Sequence, residues 1–191
     1  MHKWAKHNNT SPSRAAIYWL DFALPVNECI RRFGTHFAGR PIDAEIVRDA
    51  KGKPYFAHEP QLYLSISHSA HIWACAFSDA PVGLDVQVYR ENDFLRIAER
   101  FFHPMEFDYV RRGGKEAFFN VWTAKESYVK YTGSGIDGTF STFSVIQNGI
   151  MKAQVNEVPL KHIPFLDSCS LCLCGSAAQA APICLYDGSG L

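Results

Sequence analysis

Two carboxylates in apolar surroundings are the first candidates for chemistry in this chain. Asp85 lies inside Pro-Val-Gly-Leu-Asp-Val-Gln-Val (81–88), whose alternating apolar residues predict a strand. Burying an unpaired carboxylate is expensive, so Asp85 must face water, a cation or a metal ion. Gln87 falls on the same face of the strand and offers a neutral oxygen. The alternative is an ordinary solvent-facing aspartate on a sheet with one wet face.

Glu126 is the second carboxylate, and it lies in the clearest helical segment of the chain, 116–131. Phe118 and Trp122 lie at helical spacing, and Glu126 continues their apolar stripe instead of opposing it. Lys130 follows four residues later, so it can pair with Glu126 along the helix. The alternative is a plain surface ion pair at the edge of the stripe.

These side chains together form a set of oxygen donors that suits a hard cation. Mg²⁺ takes one or two protein carboxylates and completes its shell with water and substrate phosphates. The sequence therefore predicts a Mg²⁺ site formed by Asp85, Glu126 and Gln87, and with it chemistry on a phosphoryl group.

Two further segments carry groups that can bind phosphate. Ser67-His68-Ser69 follows a predicted strand, so we interpret it as a turn whose hydroxyls, imidazole and free N–H groups hold an anion. Turn capping is the alternative, and activation of a serine by His68 is disfavoured because adjacent strand residues point apart. Lys53 lies in the rigid turn 51–54, either as a phosphate contact or as a solvated loop lysine.

The elements that must position these residues indicate an α+β fold in two halves. Residues 15–24 fit a helix or a strand equally well, and residues 28–37 are mixed. The segments with clear strand patterns are 45–48, 61–67, 72–77, 80–88, 139–147, 151–158, 169–174 and 181–186. The helical segments are 93–102, a short helix from Pro104 that breaks at Gly113-Gly114, and 116–131, which ends at Gly133. Asn148-Gly149 predicts a hairpin. A boundary after residue 79 divides the chain into 1–79 and 80–191.

The composition excludes several classes of protein. Hydrophobic residues make up 47% of the 191 residues, which is enough for a sizeable core. Nineteen Lys and Arg balance nineteen Asp and Glu, so the chain lacks the basic excess typical of nucleic-acid binding. No long uncharged apolar run predicts a membrane span. Lys3, Lys6 and Arg14 without an acid are faintly typical of a transit peptide, but we expect a cytoplasmic protein.

The six cysteines are expected to be buried thiols in a reducing compartment. Cys172 and Cys174 alternate with leucines, so they share one face of a strand. A zinc site is the alternative, but it would need a second ligand pair at compatible spacing.

Five motifs occur in a specific order along the chain. They are Gly-Lys-Pro (52–54), Leu-Ser-Ile-Ser-His-Ser (64–69), Val-Gly-Leu-Asp-Val (82–86), Arg-Phe-Phe (100–102) and Trp-Thr-Ala-Lys-Glu-Ser-Tyr-Val-Lys-Tyr-Thr-Gly-Ser-Gly-Ile (122–136). Over about 51–147 the sequence resembles the Sfp-type 4′-phosphopantetheinyl transferases, which activate carrier proteins. The resemblance implies two similar halves related by a pseudo-two-fold axis. Each half has an antiparallel sheet packed on helices, with coenzyme A in the cleft between the halves.

The resemblance also implies roles for the candidate residues. Asp85 and Glu126 would hold Mg²⁺ on the pyrophosphate, and Lys130 would contact a phosphate. The nucleotide end would be bound by Lys53, Ser67 and His68, with Arg14 on the adenine side. Gln87 stands where many members have a third acid, so we expect it to act on the metal through water.

The implied reaction transfers phosphopantetheine to a serine of an acyl or peptidyl carrier protein and releases adenosine 3′,5′-bisphosphate. Lys130 would assist, and Glu126 is the candidate general base besides its role as a ligand. Carrier proteins are acidic around the modified serine. The expected docking edge combines basic and apolar side chains: Arg111, Arg112 and Lys115 with Phe101, Phe102 or Met105.

Two other functions remain open from the sequence. One is a Mg²⁺-dependent phosphohydrolase that uses water as its nucleophile, and the other is a non-catalytic coenzyme A-binding module. The sequence leaves open whether a carrier would belong to fatty-acid, polyketide or nonribosomal peptide synthesis. Because two halves in one chain can form the whole cleft, we expect a monomer to suffice.

Overall fold

Two four-stranded sheets organise the part of the chain that the computed structural model describes, residues 13–21, 25–135, 140–179 and 183–191. The strands are β1 (Ala15–Leu20), β2 (Ile46–Arg48), β3 (Pro54–Phe56), β4 (Tyr63–Ser69), β5 (Ile72–Ser78), β6 (Gly83–Val88), β7 (Ile146–Gln147), β8 (Ile150–Met151), β9 (Gln154–Val155), β10 (Val158–His162), β11 (Cys169–Cys174) and β12 (Cys184–Asp187). The helices are α1 (Val26–Ala38), α2 (Phe94–Phe101) and α3 (Pro104–Thr132). Lys3 and Lys6 lie outside the described residues.

The first sheet has the order β12-β1-β5-β4, and the second has the order β6-β11-β10-β9. The α+β class, with sheets packed on helices, is confirmed. The predicted boundary after residue 79 separates the two sheets along the chain except for β12, which pairs in parallel with β1. The expectation of purely antiparallel sheets is therefore wrong for this edge of the first sheet. The pseudo-two-fold relation remains a prediction.

Three apolar clusters hold these layers together. One lies between α1 and the first sheet, and one between the second sheet and helices α2 and α3. The third joins the two sheets through alternate residues of β1, β5, β6 and β11. The alternation in β11 follows from this arrangement, because Cys172 and Cys174 face α3 while Leu171 and Leu173 face the first sheet. Their predicted common face and burial are confirmed.

Helix α3 carries most of the site, and its ends match the sequence signals. His103 caps its start together with Glu106, and Pro104 occupies the first helical position. The predicted break is a kink at Gly114, whose φ of 69° only glycine adopts easily, and the helix continues beyond it. It ends at Gly133 in the left-handed conformation, as predicted.

Several predicted elements differ from the structure. Residues 28–37 belong to helix α1, and residues 15–20 form strand β1. The hairpin at Asn148-Gly149 is confirmed, but its strands are only two residues long, and Phe140–Thr142 forms a turn of 3₁₀ helix. Ser67-His68-Ser69 lies within β4 and not in a turn, because the register with β5 continues to Ser69 opposite Ile72.

Among the described residues, no helix is long and apolar enough to cross a membrane.

Candidate functional site

A cleft of about 470 Å³ lies where three parts of the fold meet. Its walls come from the turn between β2 and β3, from β4, and from the C-terminal half of α3. The first two belong to the first half of the chain and the helix to the second. The cleft therefore has walls from both sides of the predicted boundary after residue 79.

Gly83 explains why α3 lies so close to strand β6. A Cβ atom at this position would be 2.0 Å from the Ser127 carbonyl oxygen and 2.6 Å from the Tyr131 amide nitrogen. The helix backbone therefore packs directly on the strand, which only glycine allows here. Glu126 and Lys130, one turn apart, come beside Asp85 two residues along β6.

Asp85 is buried, with 2% of its surface exposed, so the solvent-facing interpretation is wrong. Its Oδ1 accepts hydrogen bonds from Ser67 Oγ at 2.6 Å and from Lys130 Nζ at 2.8 Å. Its Oδ2 accepts from Gln87 Nε2 at 3.2 Å. Charge-assisted bonds of this kind satisfy the buried carboxylate.

Glu126 is also buried, at 5% exposure, and it lines the cleft. Burial, and then the neighbouring Asp85 charge, raise the pKa of Glu126 to about 7, against a smaller opposing effect of Lys130. The predicted ion pair between Lys130 and Glu126 is wrong, since the Lys130 ammonium bonds to Asp85. A carboxyl with this pKa exchanges its proton near neutral pH.

The donor set fits a magnesium ion that is shared with a substrate. Two facing carboxylates repel each other in a buried site, and a cation between them would relieve that repulsion. The described residues contain no group of three or more His, Cys, Asp or Glu side chains suited to a metal. An ion held by Asp85 and Glu126 would therefore need oxygens from water or phosphate. Gln87 adjoins Asp85, but its Oε1 accepts a hydrogen bond from Ser69 Oγ at 3.3 Å.

The remaining polar wall of the cleft is basic. Its cationic or titratable basic side chains are Arg48, Lys51, Lys53, His68 and Lys130. Arg48 and Lys51 were missed by the sequence analysis, although both flank the Gly-Lys-Pro motif. Such a concentration of positive charge on one wall suits a ligand with several phosphates.

Lys53 lines the cleft and connects the turn between β2 and β3 to the second half of the chain. Its Nζ donates to the Lys130 carbonyl oxygen at 2.8 Å and to the Val82 carbonyl oxygen at 3.1 Å. Burial lowers the pKa of Lys53. Lys51 makes a related bond from Nζ to the Ser134 carbonyl oxygen at 3.1 Å. The two lysines thus donate hydrogen bonds to carbonyl oxygens in the last turn of α3 and just beyond it, where the helix dipole favours positive charge.

Two predicted nucleotide contacts lie elsewhere. Ser67 is 4% exposed, does not line the cleft, and bonds to Asp85. Arg14 precedes β1 at the end of the sheet where Ala15 pairs with Ser78, and its guanidinium lies over the Phe37 ring at 4.4 Å. Arg14 does not line the cleft, because it precedes Ala15 at one end of β1, whereas the cleft-lining Trp73 pairs with Leu20 at the other end.

Lys125, next to Glu126 in the motif, faces the opposite way. Its ammonium is fully buried against Glu106 and donates to the Phe143 carbonyl oxygen at 2.7 Å. Glu106 also accepts from the Val145 amide at 2.7 Å. The pair therefore connects the first turn and the C-terminal half of α3 to residues 143–145.

The predicted docking edge runs from Phe101 at the end of α2 to Lys115 just after the kink of α3, a stretch that we call the elbow. Arg111 and Arg112 are exposed, as are Phe101 and Met105. Phe102 is buried at 4% and belongs to the core, so its part in that prediction is wrong.

Comparisons with known proteins cover this same region. Residues 81–174, which contain Asp85 and Glu126, match the family model described as the 4′-phosphopantetheinyl transferase superfamily. A 4′-phosphopantetheinyl transferase of Aneurinibacillus migulanus is 36% identical over 101 residues, which make up 51% of this chain and 41% of the relative.

Other relatives extend the match. The 4′-phosphopantetheinyl transferase Sfp of Bacillus subtilis strain 168 is 32% identical over 117 residues, 59% of this chain and 51% of that protein. The 4′-phosphopantetheinyl transferase AcpT of Salmonella typhi is 30% identical over 136 residues, 68% and 66% of the two chains. The matched region thus spans about half the length of the Bacillus relative.

Proposed function

Because the chain belongs to the 4′-phosphopantetheinyl transferase superfamily, we propose that it transfers 4′-phosphopantetheine from coenzyme A to a serine of a carrier protein. The observation that carries this proposal is the pair of buried carboxylates, Asp85 and Glu126, beside a basic cleft wall. Carboxylates for a cation and basic groups for phosphates are the two requirements of phosphoryl transfer.

In the proposed reaction the carrier serine oxygen bonds to the β-phosphorus of coenzyme A. The bond from that phosphorus to the bridging oxygen breaks, adenosine 3′,5′-bisphosphate leaves with the bridging oxygen, and the serine proton passes to a base. Asp85 and Glu126 would hold Mg²⁺, which supplies charge neutralisation on the pyrophosphate oxygens when it is bound.

Lys130, Glu126 and Gln87 have different proposed roles in phosphate binding, metal binding and proton transfer. Lys130 is 29% exposed, so its ammonium can leave Asp85 for a phosphate oxygen once a cation takes its place. Glu126 acts first as a ligand. Its raised pKa also suits a general base, although ligation would lower its basicity. Gln87 acts next to the metal through Asp85 or through water.

The basic wall would bind the nucleotide end of coenzyme A. His68 and Lys53 line the cleft and are the proposed contacts to the 3′-phosphate, and Arg48 and Lys51 add positive charge at the same wall. Among the described residues, the Lys53 ammonium donates to two backbone carbonyls, so its third N–H can bond to a phosphate oxygen. All groups of this site come from one chain, so a monomer suffices for the proposed activity.

The proposed carrier contact is this elbow, from the end of α2 to the kink of α3. Arg111, Arg112 and Lys115 provide positive charge there, and Phe101 and Met105 provide exposed apolar surface. An acidic carrier of the acyl or peptidyl type would complement this surface.

The test is the intact mass of apo acyl and apo peptidyl carrier proteins after incubation with this chain, coenzyme A and Mg²⁺. A gain of one phosphopantetheinyl group, lost with Asp85→Ala or in EDTA, supports the proposal. It also ranks the carriers. Coenzyme A binding with no mass gain on either carrier would contradict it and favour a binding module.

A further inference from the structure

Three alternate serines of β4 face the neighbouring edge of β6. Ser65, Ser67 and Ser69 each accept a hydrogen bond at Oγ from a β6 amide, those of Leu84 (2.9 Å), Val86 (3.2 Å) and Val88 (3.0 Å). The spacing of two on both strands places all three hydroxyls on the same side. The edges of the two sheets are thus connected by a ladder of serine hydroxyls.

The central serine of this ladder has a second partner. A hydroxyl carries one hydrogen to donate and can accept at its lone pairs. Because the Val86 amide donates to Ser67, the Ser67 hydrogen is free for another acceptor, and it is given to Asp85 Oδ1 at 2.6 Å. Ser65 makes the same amide contact without bonding to a side chain of the site.

Among the donors to Asp85, Ser67 is the best fixed. Lys130 is partly exposed at the end of a long flexible side chain, and Gln87 is half-buried. Ser67 is 4% exposed and short, and its position is set by the Val86 amide of the same strand that carries Asp85. It therefore holds the carboxylate even when the lysine moves.

We propose that Ser67 is a positioning residue that fixes the Asp85 carboxylate for its cation, and that it does not contact the nucleotide. The inference rests on the proposed role of Asp85 as a cation ligand. The role of Ser67, the first serine of the Ser-His-Ser motif, then differs from that of its neighbour His68, which lines the cleft. Groups that orient a metal ligand affect metal affinity about 10- to 100-fold.

The test measures Mn²⁺ affinity by the electron paramagnetic resonance signal of the free ion, with no nucleotide present. Ser67→Ala should weaken Mn²⁺ binding about tenfold or more, and Ser67→Thr, which keeps the hydroxyl, should restore it. Ser65→Ala is the matched control, because it removes one amide acceptor and leaves Asp85 untouched. If Ser67→Ala does not fold, Ser67→Cys replaces it, since a thiol fills the space but donates weakly.

Coenzyme A affinity in EDTA gives the second readout. It should be the same for wild type and Ser67→Ala, because the serine is not a nucleotide contact. Equal Mn²⁺ affinities of wild type and Ser67→Ala, an equal loss with Ser65→Ala, or no Mn²⁺ binding by the wild type would overturn the proposal. Carrier modification is measured separately: a chain that binds Mn²⁺ through Ser67-positioned Asp85 but modifies no carrier refutes the transferase function alone.

Discussion

Lys130 and Asp85 form a hydrogen-bonded ion pair, with 2.8 Å between Nζ and Oδ1, although they are 45 residues apart in the chain. The pair connects the last turns of α3 to the middle of β6. It shows which carboxylate the lysine prefers: Asp85 and not Glu126, whose raised pKa favours the neutral form. The site is thus organised around Asp85, and Glu126 is the group that responds to pH.

Gly83→Ala should separate α3 from β6. A Cβ there would meet backbone atoms of Ser127 and Tyr131, which cannot move without the helix. We expect a loss of about 3 kcal/mol in the free energy of unfolding, measured with urea. Gly190→Ala is the control, since a Cβ at that position meets nothing within 4 Å. Equal effects of both substitutions would refute the close-approach argument.

Glu126 should make the stability of the metal-free protein depend on pH. Its folded-state pKa of about 7 lies above the ordinary 4.5, so the folded state holds the proton more tightly. The stabilisation is complete below about pH 4.5 and is lost as the pH rises through about 7.

In EDTA, Glu126→Gln should therefore gain about 3 kcal/mol relative to wild type between pH 4.5 and pH 8. Urea unfolding at the two pH values measures this difference. Glu116→Gln, an exposed change on the same helix, should show no such trend. A pH-independent difference for Glu126→Gln would mean that its carboxyl is not perturbed by burial.

Lys125→Met should be strongly destabilising, because it leaves the buried Glu106 carboxylate without its cation. Breaking one side of a buried pair costs about 3–5 kcal/mol, whereas exposed pairs contribute well under 1 kcal/mol. Lys115→Met serves as the comparison, because Lys115 lies on the same helix as Lys125 and forms an exposed pair with Glu91, which precedes α2. Thermal or urea unfolding should separate the two variants clearly; similar midpoints would contradict a structural role for Lys125.

His68→Gln should reduce the preference for coenzyme A over dephospho-coenzyme A, which lacks the 3′-phosphate. His68 lines the cleft, and loss of a bond to a charged phosphate is worth about tenfold in affinity. His71→Gln is the control, since His71 pairs with Asp21 and does not line the cleft. Calorimetric titration of both ligands in EDTA provides the comparison. A parallel loss for both ligands would place the 3′-phosphate elsewhere.

The double variant Arg111→Glu/Arg112→Glu should raise KM for the carrier about tenfold and leave KM for coenzyme A unchanged, because both arginines lie on the exposed elbow and outside the cleft. Lys161→Glu, exposed on β10, controls for a general change of charge. An equal rise in both KM values would refute docking at this elbow.

The sequence predicted the parts of the site whose signals are local. The alternation around Asp85 located β6, and helical spacing with Gly133 located α3 and Glu126. Helix α1 was missed, although Ile30, Phe33 and Phe37 follow helical spacing before Gly39.

Contacts between distant segments could not be derived from the sequence. Lys130 lies four residues from Glu126, so local spacing favoured that pair. Because α3 packs closely on β6 at Gly83, the Lys130 ammonium instead bonds to Asp85. Ser67 looked like a turn residue until its register with β5 and its bond to Asp85 were known. Arg48 and Lys51 lack a motif of their own, and only the fold places them in the cleft.

In the proposed function, the two carboxylates Asp85 and Glu126 serve transfer to a carrier and not hydrolysis. The most direct measurement is the number of adenosine 3′,5′-bisphosphate molecules released per carrier serine modified, at saturating coenzyme A and Mg²⁺. We expect one adenosine 3′,5′-bisphosphate for each modified carrier, none with a carrier whose serine is replaced by alanine, and none with Asp85→Ala. Release of nucleotide at the same rate without any carrier would contradict it, because water would then be the nucleophile.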